Sequence, residues 1–169
     1  MGFVVLTGAS GSGKTSIAKA IASRYREHVD VYHFDRIGVP SVEQMIANYG
    51  SGEAWQRAMT NEWLARIAAT PHMGRHVLFE GQMRFTVISE AAAAAGITGY
   101  TLILVDCDDA TRTKRLAFDR PRANLANPTM MNWAKHLRDE AKLLRCSILD
   151  TTDVSLEVCV EQVWAQLGQ

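Results

Sequence analysis

Gly8-Ala9-Ser10-Gly11-Ser12-Gly13-Lys14-Thr15 is a complete G-x-x-x-x-G-K-[ST] loop, preceded by the apolar run Phe3-Val4-Val5-Leu6 and followed by Ile17-Ala18-Lys19-Ala20-Ile21-Ala22. An apolar strand, a glycine turn and an amphipathic helix in that order are the context in which this spacing wraps phosphates. Gly8, Gly11 and Gly13 accept backbone angles and close approaches that a Cβ would forbid, so successive N–H groups converge on phosphate oxygens. The helix opening near Lys14 directs its positive end at the same anion. Lys14 is expected to reach the β and γ phosphates and the Thr15 hydroxyl to take a place on Mg²⁺, with Ser12 and Ser16 completing the cradle. The ligand this predicts is a nucleoside triphosphate, ATP, carried with Mg²⁺.

The 169 residues, 47% hydrophobic and 21% charged, suit one globular domain with a real core. Eighteen basic and eighteen acidic residues cancel, which removes the electrostatic reason to expect a nucleic-acid or anionic-membrane partner. Cys107, Cys146 and Cys159 are odd in number and show no C-x-x-C spacing, so we expect reduced thiols in a cytoplasmic protein. No apolar run approaches the roughly 18 residues of a membrane span, and the chain enters its first strand with no leader-like segment. Monomer and homodimer both remain compatible with this composition.

Short apolar runs alternate with longer helical ones, the pattern of a parallel sheet with helices on both faces. Strands are predicted over 3–7, 29–34, 76–79, 100–105 and 147–149, and helices near 14–27, 42–49, 53–69, 84–95, 109–118, 130–145 and 155–167. Ligands of open α/β sheets collect at the carboxyl ends of the strands. There the chain carries Asp35, Glu80, Asp106 and Asp150. The least patterned region, about 37–73, is expected to enclose an acceptor, with Tyr49 or Trp55 as a stacking surface. The stretch 119–129 breaks helical periodicity and reads as a lid.

Asp35, in His33-Phe34-Asp35-Arg36, is placed to take or orient the proton of an acceptor hydroxyl, with Arg36 beside it as a substrate contact. Glu80 suits the hydration shell of Mg²⁺ and the edge of the acceptor, while Arg84 offers a planar fork to substrate. Of Arg112, Arg115, Arg120 and Arg122, two are expected to be functional. Arg120 or Arg122 would neutralise charge on the transferring phosphoryl group, and Arg115 would stack on the base. The five histidines show no metal-ligand spacing and read as surface or packing residues, and the tryptophans as core.

Taken in order, these motifs resemble the adenylate-kinase-like and shikimate-kinase-like branch of the P-loop kinases along nearly the whole chain. Glu80-Gly81-Gln82-Met83-Arg84 is similar to the D-G-F-P-R segment of adenylate kinases, and Arg120-Pro121 to the start of the R-P-L-L lid of shikimate kinases. Asp150-Thr151-Thr152-Asp153 is similar to the segment whose backbone receives adenine, which makes Thr151 a nucleotide contact. The resemblance implies a three-layer P-loop NTPase fold with a five-stranded parallel sheet of order 2-3-1-4-5. It also implies a Mg²⁺-dependent kinase moving the γ phosphate of ATP to a small acceptor. A nucleotide or nucleoside is the first reading of that acceptor, a metabolite or antibiotic hydroxyl the second, and a non-catalytic nucleotide-binding module the third. The chain lacks the D-x-D and triple glycine of shikimate kinases, and no arginine lies between Gly38 and Gly52 to grip an acceptor phosphate.

Overall fold

Every side chain of the first strand, β1 (Phe3–Thr7), is buried, so the strand has no solvated face and belongs in the middle of a sheet covered on both sides. In this computed structural model, which describes residues 1–119 and 123–168, the following elements are α1 (Lys14–Arg24), β2 (Val29–His33), α2 (Val42–Tyr49), α3 (Gly52–Ala69), β3 (His76–Gly81) and α4 (Phe85–Ala94). They continue as β4 (Thr101–Asp106), α5 (Asp109–Lys114), α6 (Pro128–Leu143), β5 (Ser147–Asp150) and α7 (Leu156–Leu167). The strands form one sheet of order β2-β3-β1-β4-β5, all parallel. This is the expected P-loop NTPase arrangement.

Period-two alternation sorts β1 between two cores. Val4 and Leu6 join Ile17 and Ile21 of α1 and Val160 and Val163 of α7 on one face. Phe3 and Val5 join Trp63, Leu64 and Ile67 of α3 and Ile88 of α4 on the other. A smaller cluster, Phe85, Leu104, Leu137 and Ala141, seats α6. Among the described residues no helix is long and apolar enough to cross a membrane. The three cysteines are unpaired, and burial pushes each thiol above its usual range.

Several boundaries differ from the expectation for local reasons. β2 stops at His33 because Phe34 opens a 3₁₀ turn, Phe34–Ile37. α1 ends at Arg24, where Tyr25 leaves helical angles and its ring stacks on Trp164 with centroids 3.7 Å apart. α6 begins at Pro128: Asn127 Oδ1 accepts the Met130 N–H at 2.9 Å, and a proline at the first helical position needs no N–H partner. After α5 the chain winds into a π turn, Arg115–Asp119, instead of continuing the helix. Of the expected lid, 120–122 lie outside the described residues, and with them Arg120 and Arg122.

Candidate active site

The loop between β1 and α1 is held from beneath. A Cβ on Gly8 would stand 2.2 Å from the Val105 carbonyl oxygen, so only glycine lets the loop press onto β4. Gly13 caps α1 with φ 98°, in the left-handed region, and no side chain caps that helix end. The first N–H groups of an eleven-residue helix therefore face the loop's concavity. Ser12 Oγ is buried with no hydrogen-bond partner among the described residues. An orphaned hydroxyl in a ring of uncapped N–H donors fits phosphate oxygens.

Two cavities meet at this loop. The first, of about 310 Å³, is lined by Gly11, Gly13, Lys14, Thr15, Ser16 and Ile17 on the loop side and by Arg115, Thr151, Val154, Leu156 and Cys159 opposite. Arg115 donates from Nη1 to Thr151 Oγ1 and from Nη2 to the Thr151 carbonyl, both at 2.8 Å. Thr151 Oγ1 in turn donates to the Ser12 carbonyl at 2.9 Å. Arg115 and Thr151 thus brace the phosphate loop while forming the far wall. The second cavity, of about 420 Å³, is lined by Ser10, Lys14, Thr15, Phe34, Asp35, Val39, Trp55, Gln56, Glu80, Gly81 and Gln82. Lys14 and Thr15 belong to both walls. A group bound through Lys14 on one side is presented to whatever occupies the other.

Glu80 sits at that junction. Its carboxylate accepts from Thr15 Oγ1 at 3.2 Å and lies 2.7 Å from His33 Nδ1. Burial pushes its pKa up, but the His33 hydrogen bond, the charge of Lys14 and the Thr15 hydroxyl outweigh that and hold it below the usual carboxylate range. The sign for stability follows. A depressed folded value means the ionised Glu80 contributes stability that is present above the unfolded value, about 4.3, and is lost as pH falls through the folded one. We expect the urea midpoint of the wild type to decline more steeply below about pH 4 than that of Glu80→Gln, with the two profiles parallel above it. Parallel profiles in acid would remove Glu80 as the responsible group.

Among the described residues no three His, Cys, Asp or Glu side chains cluster as a metal cage. A Mg²⁺ held chiefly by phosphates needs only one or two protein groups, and Thr15 and the ionised Glu80 fit that need.

Of the other anticipated side chains, Asp35 is exposed and lines the second cavity. Arg36 is exposed and Arg84 partly so; neither forms part of the wall. Arg84 pairs with Glu53 at 3.4 Å and covers the Trp133 ring at 5.3 Å. Asp106 and Asp150, also strand-end acids, serve elsewhere. Asp106 binds Arg112 and Arg138, and Asp150 closes a turn by accepting from Thr152 N and Oγ1.

Sequence reasoning gave no site role to His33, Ser10, Gln56 or Gln82. The first was legible in principle: parallel pairing of β2 with β3 sets His33 opposite Glu80. The glutamines had no pattern to betray them. Gln56 Nε2 donates to the Gln82 carbonyl at 2.7 Å, and Ser10 Oγ donates to Gln82 Oε1 at 3.3 Å. These links tie α3 and the phosphate loop to the turn after β3.

Comparison with known proteins agrees with this geometry. Residues 10–165 match the family model for shikimate kinase. A search of the curated proteins finds no relative by sequence. Among solved structures, a gluconokinase from Sinorhizobium meliloti 1021 superposes with TM-score 0.69 at 18% identity, covering 99% of this chain and 91% of that one. The Deinococcus radiodurans tunicamycin resistance protein gives 0.66 at 19%, covering 99% and 95%. A shikimate kinase from Acinetobacter baumannii in complex with shikimate gives 0.65 at 13%, covering 97% and 91%. At such identities the structures speak for the fold alone, whereas the family match runs from the phosphate loop to the last helix. The chain belongs to the shikimate kinase family, as a P-loop phosphotransferase that uses ATP with Mg²⁺.

Proposed function

We propose that the protein transfers the γ-phosphoryl group of ATP to a hydroxyl of a small metabolite bound in the second cavity. The observation that carries this is the junction: one lysine and one threonine line both cavities. In this reading Lys14 and the loop N–H groups hold the donor phosphates, and Asp35 orients the acceptor hydroxyl and takes its proton. Mg²⁺, held by Thr15 and Glu80 with the phosphates, would supply charge neutralisation at the β and γ oxygens. Arg115 and Thr151 receive the base, and Ser12 and Ser16 line the phosphates. Arg120 and Arg122 would complete the site from the lid. Arg36 and Arg84 keep a substrate role only if they move toward the wall. The family match favours a metabolite over the nucleotide or nucleoside read first from the sequence, and it leaves no need for a non-catalytic module.

The test is ADP release with Mg²⁺ across a panel of metabolite hydroxyl compounds, with and without each acceptor, in the wild type and in Asp35→Asn. The wild type is expected to show acceptor-stimulated release. The variant is expected to bind ATP normally while transfer falls about 100- to 10,000-fold. Transfer at the wild-type rate would remove Asp35 as the base.

A further inference from the structure

We propose that His33 is a positioning residue for the metal-bound triphosphate: it fixes the Glu80 carboxylate beside Thr15, so that Mg²⁺ meets a preset pair of oxygens. This rests on reading Thr15 and Glu80 as the protein's hold on Mg²⁺. His33 ends β2 and is the register partner of Glu80 in β3, so both side chains leave the same face of the sheet near the carboxyl ends of its strands. Both are buried, at 9% and 5% exposed. His33 Nδ1 lies 2.7 Å from Glu80 Oε1, and Thr15 Oγ1 donates to the other oxygen, Oε2, at 3.2 Å. An ionised carboxylate only accepts, so Nδ1 carries the hydrogen and donates it.

Glu80 does not keep this pose by itself. A glutamate rotates around each of its side-chain bonds, and a buried carboxylate takes whatever donor it meets. With Oε1 held by His33, Oε2 is left facing Thr15, and the two oxygens stand at a spacing that one small cation or its bound water can bridge. Without His33 the carboxylate would turn further toward the Lys14 ammonium, whose charge already acts on it and which the triphosphate needs.

His33 is itself firmly held. A Cβ on Gly81 would stand 2.5 Å from Phe34 Cβ, so the two strands close tightly just past the pair. Trp63 Nε1 donates to the Phe34 carbonyl at 3.0 Å and clamps the same turn to α3. A ring anchored in this way acts as the outer partner of a metal ligand does, and losing such a partner costs roughly 10- to 100-fold in metal affinity. The turn after His33 also carries Asp35 to the acceptor cavity, so turnover alone would not separate the two effects. The test therefore reads binding.

Calorimetry on the whole chain measures the affinity for AMP-PNP, a non-hydrolysable ATP analogue, in EDTA and in Mg²⁺; the ratio is the factor by which the metal tightens binding. In His33→Leu this factor is expected to fall about ten-fold or more, with the affinity in EDTA unchanged. His33→Asn, whose amide nitrogen overlies Nδ1, is expected to restore it. His33→Gln, whose amide stands one bond further out, is not. In a Glu80→Gln background, His33→Leu is expected to change nothing further, because it acts through that carboxylate. A wild-type factor in His33→Leu, a further loss in the Glu80→Gln background, or an equal fall in EDTA overturns the proposal. Should His33→Leu not fold, equal factors in His33→Asn and His33→Gln overturn it instead. No tightening by Mg²⁺ in the wild type, or a wild-type factor in Glu80→Gln, removes Glu80 from the metal and the proposal with it, while the transfer reaction is judged separately by acceptor-stimulated ADP release.

Discussion

Replacing Lys14 by alanine should reduce acceptor-dependent ADP formation by about 100- to 1,000-fold, the scale on which a single preorganised stabiliser of developing charge acts. The residue opens α1, is only 9% exposed, and lines both cavities. Its ammonium is close enough to help depress the Glu80 carboxyl, so the charge is already oriented toward the junction before any ligand arrives. A charge fixed in place costs no reorganisation when the phosphoryl group passes, which is why its loss should appear in kcat as well as in ATP affinity. Glu80 should respond too, its pKa rising when the Coulombic attraction of Lys14 is removed. Steady-state kinetics of ADP release with Mg²⁺ and an acceptor that stimulates the wild type measure the first effect. A variant within ten-fold of the wild type would detach Lys14 from the chemistry.

The readable and unreadable parts of this site differ in a physical way. The phosphate loop could be read because its function is performed by backbone, and the backbone demands glycine at fixed spacing: Gly8 beneath the Val105 carbonyl, Gly13 at φ 98°. A parallel sheet covered on both faces followed from the apolar runs, its strand order only from the family resemblance, and Glu80 and Asp35 from their places at strand ends. The arginines illustrate the limit. Arg112, Arg115, Arg84 and Arg36 are alike as letters, yet one is fully buried under the loop, one forms the wall of the donor cavity, one covers a tryptophan and one is in solvent. Which carboxylate an arginine meets depends on contacts between elements far apart in sequence, and those leave no periodicity. Glu140 makes the same point: it accepts the Phe85 and Thr86 N–H groups at the start of α4, a cap supplied from α6 that no local cap motif announces.

Asp106→Ala should lower the unfolding free energy by about 3–5 kcal/mol, because it strands a buried charge. Asp106 lies at the end of β4 and divides its carboxylate between Arg112 Nη2 at 2.7 Å and Arg138 Nε at 2.5 Å. Arg138 is partly solvated and can return to water, but Arg112 is 0% exposed. The remaining bonds of Arg112, to the Ser10 and Cys107 carbonyls, satisfy N–H groups without neutralising the cation. For a chain of this size that loss corresponds to a fall in Tm of roughly 6–20 °C, readable by calorimetry. Asp106→Asn, which keeps acceptor capacity but not charge, should fall in between. The pair Asp106→Leu with Arg112→Met should recover much of the stability, since removing both ions abolishes the desolvation cost together with the attraction. It should not recover activity: Arg112 also holds the Ser10 carbonyl of the phosphate loop, and Ser10 lines the acceptor cavity. A stable, weakly active double variant would mean that this ion pair is kept for the position of the loop and not for the stability of the fold, whereas a loss below about 1 kcal/mol in Asp106→Ala would mean that Arg112 finds solvent or another acid when its partner is gone.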